Sequence, residues 1–231
     1  MSQLRHGTID LFDGQDPSDF YVCQIPNPRE VEQWVRSPDA KDPHKRSAHW
    51  CAMCCARMIL LAERRRPVYS LTELFDAASD CRAYMIQDPE EGWRGAYHRE
   101  LVDFLHFSCG LRAYAERRMD TRFVLERLKD GFYCMLSVHP DIRLRSKEPP
   151  PHKGGHFVLV YGAERDSKYG DSFLVNNSAG FVSEGSQIGM RVPFVRMDQI
   201  FSGNGLIIQS RFYTPPFQLH GLDAPPIMSR S

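Results

Sequence analysis

Three side chains have the types and the setting to do covalent chemistry. Cys51 stands where a charged loop, Lys41 to Arg46, gives way to an apolar run. That run predicts a helix, so Cys51 falls in its first turn, where unpaired backbone amides and the helix dipole favour an anion. A thiol so placed is expected to have a lowered pKa and to stay open to a substrate on the loop side. Cys54 and Cys55, one turn on, should point into the core. The remaining cysteines lack this setting and read as small buried hydrophobes.

His156 follows the proline-glycine loop Pro149 to Gly155 and opens the apolar run Phe157 to Tyr161. A histidine at a strand mouth can have its ring held by packing while it faces a cleft, as a general base must. Asn177 closes the following run, Phe173 to Asn176, and antiparallel pairing of the two strands would bring its amide to the imidazole. A carboxamide there fixes the ring's tautomer without titrating. A slip of one residue would hand the position to Asn176. Each residue alone has an ordinary reading as a core thiol, a surface histidine or a turn asparagine. In this order, as a helix start, a strand start and the next strand, they describe a nucleophile, a base and the group that orients the base.

The elements that must carry these residues change type once along the chain. The run Cys51 to Arg65 is apolar almost all round before Glu63 and Arg64 to Arg66, which predicts a buried central helix emerging at its carboxyl end. Ser70 and Glu73 have capping-box spacing ahead of Leu74, Phe75, Ala77 and Ala78. Tyr97, Leu101, Phe104, Leu105 and Ser108 share one helical face, with Gly110 placed to end it. Asp120 or Thr121 can cap a fourth helix through Leu128, closed by Gly131. Strand-length apolar runs then follow at Phe132–Val138, His156–Gly162, Ser172–Asn176 and Gly205–Gln209, and their closeness suggests an antiparallel sheet. The expectation is an α+β fold with a helical half packed on an antiparallel sheet. Residues 1–20 read as an N-terminal extension, 21–211 as one domain and 212–231 as a Pro-rich tail.

Composition narrows the partners. The chain has 231 residues, and 29 Lys and Arg balance 29 Asp and Glu, so no whole-protein field favours nucleic acid or an anionic membrane surface. No apolar stretch reaches the roughly 18 to 20 residues needed to cross a bilayer, and Met1 to Asp10 lacks the pattern of a secretory signal. Seven cysteines in apolar surroundings read as reduced, and the expected location is the cytoplasm. His49, Cys51, Cys54 and Cys55 include a Cys-x-x-Cys spacing, but no second pair at zinc-site spacing accompanies it, so neither metal nor cofactor is expected. A thioredoxin-like redox role lacks the preceding strand.

The segment Cys51-Ala52-Met53-Cys54-Cys55-Ala56-Arg57-Met58-Ile59-Leu60 resembles the nucleophile helix of the family-thirty-nine cysteine peptidases, the papain-like bacteriocin-processing peptidases and their stand-alone relatives. Gly155-His156-Phe157-Val158-Leu159-Val160-Tyr161-Gly162 resembles their histidine strand, and Leu174-Val175-Asn176-Asn177-Ser178 their Val-Asn-Asp-Pro segment. The likeness spans roughly residues 25 to 210, and includes Gly95-Ala96-Tyr97-His98 and Cys109-Gly110-Leu111-Arg112. Ala52 and Met53 depart from the family's Gly-Pro, and Asn177 stands where it mostly has aspartate.

The resemblance implies a papain-like fold and a Cys-His-Asn site acting through an acyl-enzyme. It also implies an upstream glutamine that donates to the oxyanion, with Gln33 the first choice and Gln24 the rival. The expected activity is a cysteine peptidase or amide hydrolase acting on a peptide or peptide-like substrate. An acyl transferase would share the first half-reaction, and a non-catalytic peptide-binding module would share the fold. The loop Asp141 to Gly155 carries Arg143, Arg145, Lys147 and Lys153, which favours an acidic substrate. The oligomeric state is left open.

Overall fold

In a computed structural model, residues 8–24, 50–65, 69–88, 92–143, 148–166, 170–179 and 187–211 are described. They form an α+β structure of five α-helices and a seven-stranded antiparallel sheet, with a separate two-stranded hairpin. In chain order the elements are β1 (Ile9–Asp10), α1 (Cys51–Ala62), α2 (Leu71–Asp80), β2 (Tyr84–Asp88), β3 (Gly92–Ala96) and α3 (His98–Phe107). There follow β4 (Ala113–Glu116), α4 (Thr121–Lys129), β5 (Phe132–Val138), β6 (His156–Asp166), β7 (Gly170–Asn176), β8 (Met190–Pro193), α5 (Phe194–Ile200) and β9 (Phe201–Gln209).

The sheet runs β4-β9-β5-β6-β7-β8, and β1 pairs with the outer part of β6. Strand β6 is central because His156–Val160 pair with β5, while its length also serves β7 and β1. Gly162 is needed where β1 crosses, since a Cβ there would lie 2.3 Å from the Ile9 carbonyl oxygen. Helix α1 packs against β6 and β5 and is buried nearly all round, including Ala52, Met53, Cys54, Cys55, Ala56, Met58 and Ile59. At about 1.5–3 kcal/mol for each large apolar side chain, this burial holds the helix on the sheet.

The expected helix ends recur as geometry. Ser70 and Glu73 form a reciprocal capping box, Asp120 accepts from the Phe123 amide, and Gly110 and Gly131 take positive φ beyond α3 and α4.

Within residues 8–20, read from sequence as part of an N-terminal extension, β1 joins the sheet and residues 13–16 are exposed. Phe12 and Phe20 are buried, and Phe12 stacks on Tyr161 with ring centroids 4.1 Å apart. Scattered aromatics have no period, so they give no sign in sequence of a segment that packs without regular structure.

The loop leading into His156 is tied to its neighbours. The Gly154 amide donates to Ile200 O, Gly155 N to Ser137 Oγ, and Lys153 Nζ to Asp198 O at 2.6 Å. Among the described residues, no helix is long and apolar enough to cross a membrane.

Candidate active site

Helix α1 begins at Cys51, with Trp50 as its N-cap. An indole has no acceptor, so the N-cap side chain takes none of the first-turn amides. The half-buried Cys51 sulfur is met by the amides of Phe157, Ala52 and Cys51 itself. The Phe157 contact puts the thiol at the mouth of β6, one residue from His156.

The thiol's pKa is nevertheless raised. Burial dominates, and the three amides act against it without cancelling it. This corrects the lowered value expected from the helix start alone. Cys54 and Cys55 are fully buried and raised further by the same cause.

His156 opens β6 opposite Val138, and its approach is set by Gly154 and Gly155 at φ 88° and 100°, which a residue with a Cβ would adopt only under strain. Its Nε2 lies 2.7 Å from Asn177 Oδ1. The Ala179 amide donates to that same Oδ1 at 3.0 Å, so the atom is the amide oxygen and not the nitrogen. An acceptor opposite Nε2 requires the proton on Nε2, which leaves the lone pair on Nδ1. A base in this tautomer takes its proton through Nδ1.

Asn177 is itself held on three sides. Its Nδ2 donates to Gln187 Oε1 at 2.6 Å, its backbone amide to Gln187 O at 2.9 Å, and its carbonyl accepts from the Tyr21 hydroxyl at 2.9 Å. His156, Asn177 and Gln187 are all buried. Asn176 faces elsewhere, accepting from the Gly189 amide and donating to Pro17 O, so the register is the one expected.

Of the two candidate oxyanion glutamines, Gln33 lies outside the described residues. Gln24 is brought beside the site: its amide donates to Ser178 O, and its Oε1 accepts from Ser178 Oγ. Ser178 also bonds the Cys54 thiol, one turn along α1 from Cys51.

Arg145 and Lys147 of the basic loop lie outside the described residues as well. Among the described residues, no group of three or more His, Cys, Asp or Glu could hold a metal ion.

Two residues of the neighbourhood carry no signal in the sequence. Gln187 is one, because nothing in its spacing ties it to Asn177. His98 is the other. The start of α3 delivers it edge-on to the Phe157 ring at 5.3 Å, and burial, with Arg117 nearby, lowers its pKa.

Compared with known proteins, the chain matches no family model and no curated protein at a significant level.

Proposed function

We propose that the chain is a papain-like cysteine peptidase or amide hydrolase acting on peptide or peptide-like substrates. The observation that carries this reading is the 2.7 Å bond from His156 Nε2 to Asn177 Oδ1, made at the strand mouth that the Cys51 sulfur touches. A half-buried thiol whose pKa is raised by burial needs a base beside it, and His156 Nδ1, which keeps its lone pair, is suited to that task.

In this mechanism Nδ1 takes the Cys51 proton as sulfur attacks the carbonyl carbon. The resulting oxyanion is met by amides at the start of α1, with an upstream glutamine, Gln33 or Gln24, as the side-chain donor. The tetrahedral intermediate collapses, the imidazolium gives its proton to the leaving amine, and a thioester remains on Cys51. Water, deprotonated by His156, then releases the acid and restores the thiol. An acceptor amine in place of water would make the same acyl-enzyme a transferase. Lys153 and the rest of the basic loop favour an acidic residue near the cleaved bond. The chemistry needs a reduced Cys51, which fits a cytoplasmic setting, and no disulfide joins any of the seven cysteines.

Iodoacetamide labelling followed by peptide mass mapping tests the reading. Cys51 is expected to label about tenfold faster in the wild type than in His156→Ala, with Cys81 as the exposed reference. A Cys51 rate unaffected by His156→Ala would make it an ordinary thiol and the chain a peptide-binding module.

A further inference from the structure

Orientation of the base depends on which end of the Asn177 carboxamide faces it. Were that amide turned over, Nδ2 would donate to His156 Nε2, the ring proton would move to Nδ1, and the nitrogen that acts as base in the proposed mechanism would have no lone pair. Asn177 alone has no preference between these states, because a carboxamide is close to symmetric in shape. One neighbour breaks the symmetry, and a second holds the result. The Ala179 amide, which can only donate, requires an oxygen on one side, and Gln187 presents Oε1 to the nitrogen on the other.

We propose that Gln187 is a positioning residue that fixes the tautomer of His156 through Asn177. The chain of bonds has one direction: His156 Nε2 donates to Asn177 Oδ1, and Asn177 Nδ2 donates to Gln187 Oε1. The backbone of Gln187 reinforces it by accepting from the Asn177 amide at 2.9 Å, so residue 187 grips both the main chain and the side chain of the orienting asparagine. At 4% exposure Gln187 is closed to water that could replace its oxygen. Loss of that acceptor leaves a buried N–H unsatisfied, a cost of about 1–3 kcal/mol that the turned amide avoids only by giving up the Ala179 bond. The role rests on the hydrolase reading for its consequence, since a tautomer matters to turnover only if His156 is the base.

The test pairs a structural readout with a kinetic one. Nitrogen-15 spectra of the histidine rings at about pH 8, assigned with His156→Ala, report the tautomer without substrate. Wild type is expected to show His156 protonated on Nε2. Gln187→Met should shift population to the Nδ1–H form and lower kcat about 10- to 100-fold with KM little changed. Gln187→Glu, which can only present oxygen to Asn177 when ionised, should restore both. A wild-type tautomer and kcat in Gln187→Met would overturn the proposal. If Gln187→Met does not fold, Gln187→Glu decides on its own: an Nε2–H ring supports the direction of the chain, and an Nδ1–H ring overturns it. A chain with the expected tautomers that hydrolyses nothing would refute the proposed function and leave this positioning role standing.

Discussion

The two ends of helix α1 handle buried polarity in opposite ways. Just past its carboxyl end, Glu63 is fully buried, and its carboxylate accepts from Ser210 Oγ at 2.7 Å and the Arg211 amide at 3.1 Å. The Arg211 guanidinium adds a contact to the carboxylate at 3.6 Å and a short bond to the Glu63 carbonyl. At the amino end the polar groups are a half-buried thiol and a chain of imidazole and two amides, none of them obligately charged. Those fixed donors tie the end of β9 to the helix. A neutral chain ending in a titratable ring can pass a proton. One helix thus has a fastened end and an end that the proposed function makes the working one, and the difference lies in whether its buried groups are held by fixed donors or joined in a chain that ends on the proposed base.

Substitutions at the two ends should separate activity from stability. Cys51→Ala carries the largest expected effect, a loss of turnover of about 10⁴-fold or more, equivalent to roughly 5 kcal/mol, with a melting temperature within a few degrees of wild type. A matching collapse of the melting temperature would make the amino end structural too and erase the contrast.

Glu63→Ala should do the reverse. It strands the buried Ser210 hydroxyl, while the partly exposed Arg211 can be rehydrated, so about 1–3 kcal/mol of stability is expected to go, seen as a melting temperature lower by roughly 2–10 °C. The folded fraction should retain wild-type kcat, and a large kcat loss in fully folded protein would contradict the division.

The smallest effect is one of pH. Burial pushes the Cys109 thiol up to about 12 and raises Cys51, Cys54 and Cys55, whereas unfolded thiols ionise near ~8.5. A group that holds its proton more tightly when folded adds stability below its unfolded pKa, and that stability is lost as pH rises towards the folded value. The melting temperature should therefore be set by other groups below about pH 8 and decline above it. Cys55→Ala should flatten this decline and Glu63→Ala should leave its slope unchanged. A flat profile to about pH 10 in the wild type would show that the thiols do not contribute in this way.

Legibility in the sequence followed burial and local capping. An all-round apolar run announced α1, and side-chain caps at Ser70 and Asp120 marked two helix starts because those bonds are made within three residues. Interior strands β5, β6, β7 and β9 showed as apolar runs because both faces are largely covered. Edge strands β4 and β8 did not: Ala113–Glu116 is half exposed, and Met190–Pro193 carries Arg191 and a proline. Nor did β2 and β3, which form their own small sheet. Asn177 could be placed beside His156 because it ends a strand next in order, whereas Gln187 lies in a bend whose relation to Asn177 exists only after folding. The Cys51 thiol shows the limit most clearly. A helix start can be read from letters, but the desolvation that outweighs it depends on what the rest of the chain lays over the sulfur.

Strand β9 fills the place between β4 and β5, although those two are separated by a single helix along the chain. During synthesis the slot between them stands open until residue 209 has left the ribosome. At about 5–20 residues per second, the roughly seventy residues after β5 take several seconds to emerge. For that interval both walls of the slot present unpaired backbone groups, a template that the β9 of a neighbouring nascent chain on the same message fits as well as the chain's own. Seating β9 between β4 and β5 is therefore among the last steps in completing the sheet as the chain is made.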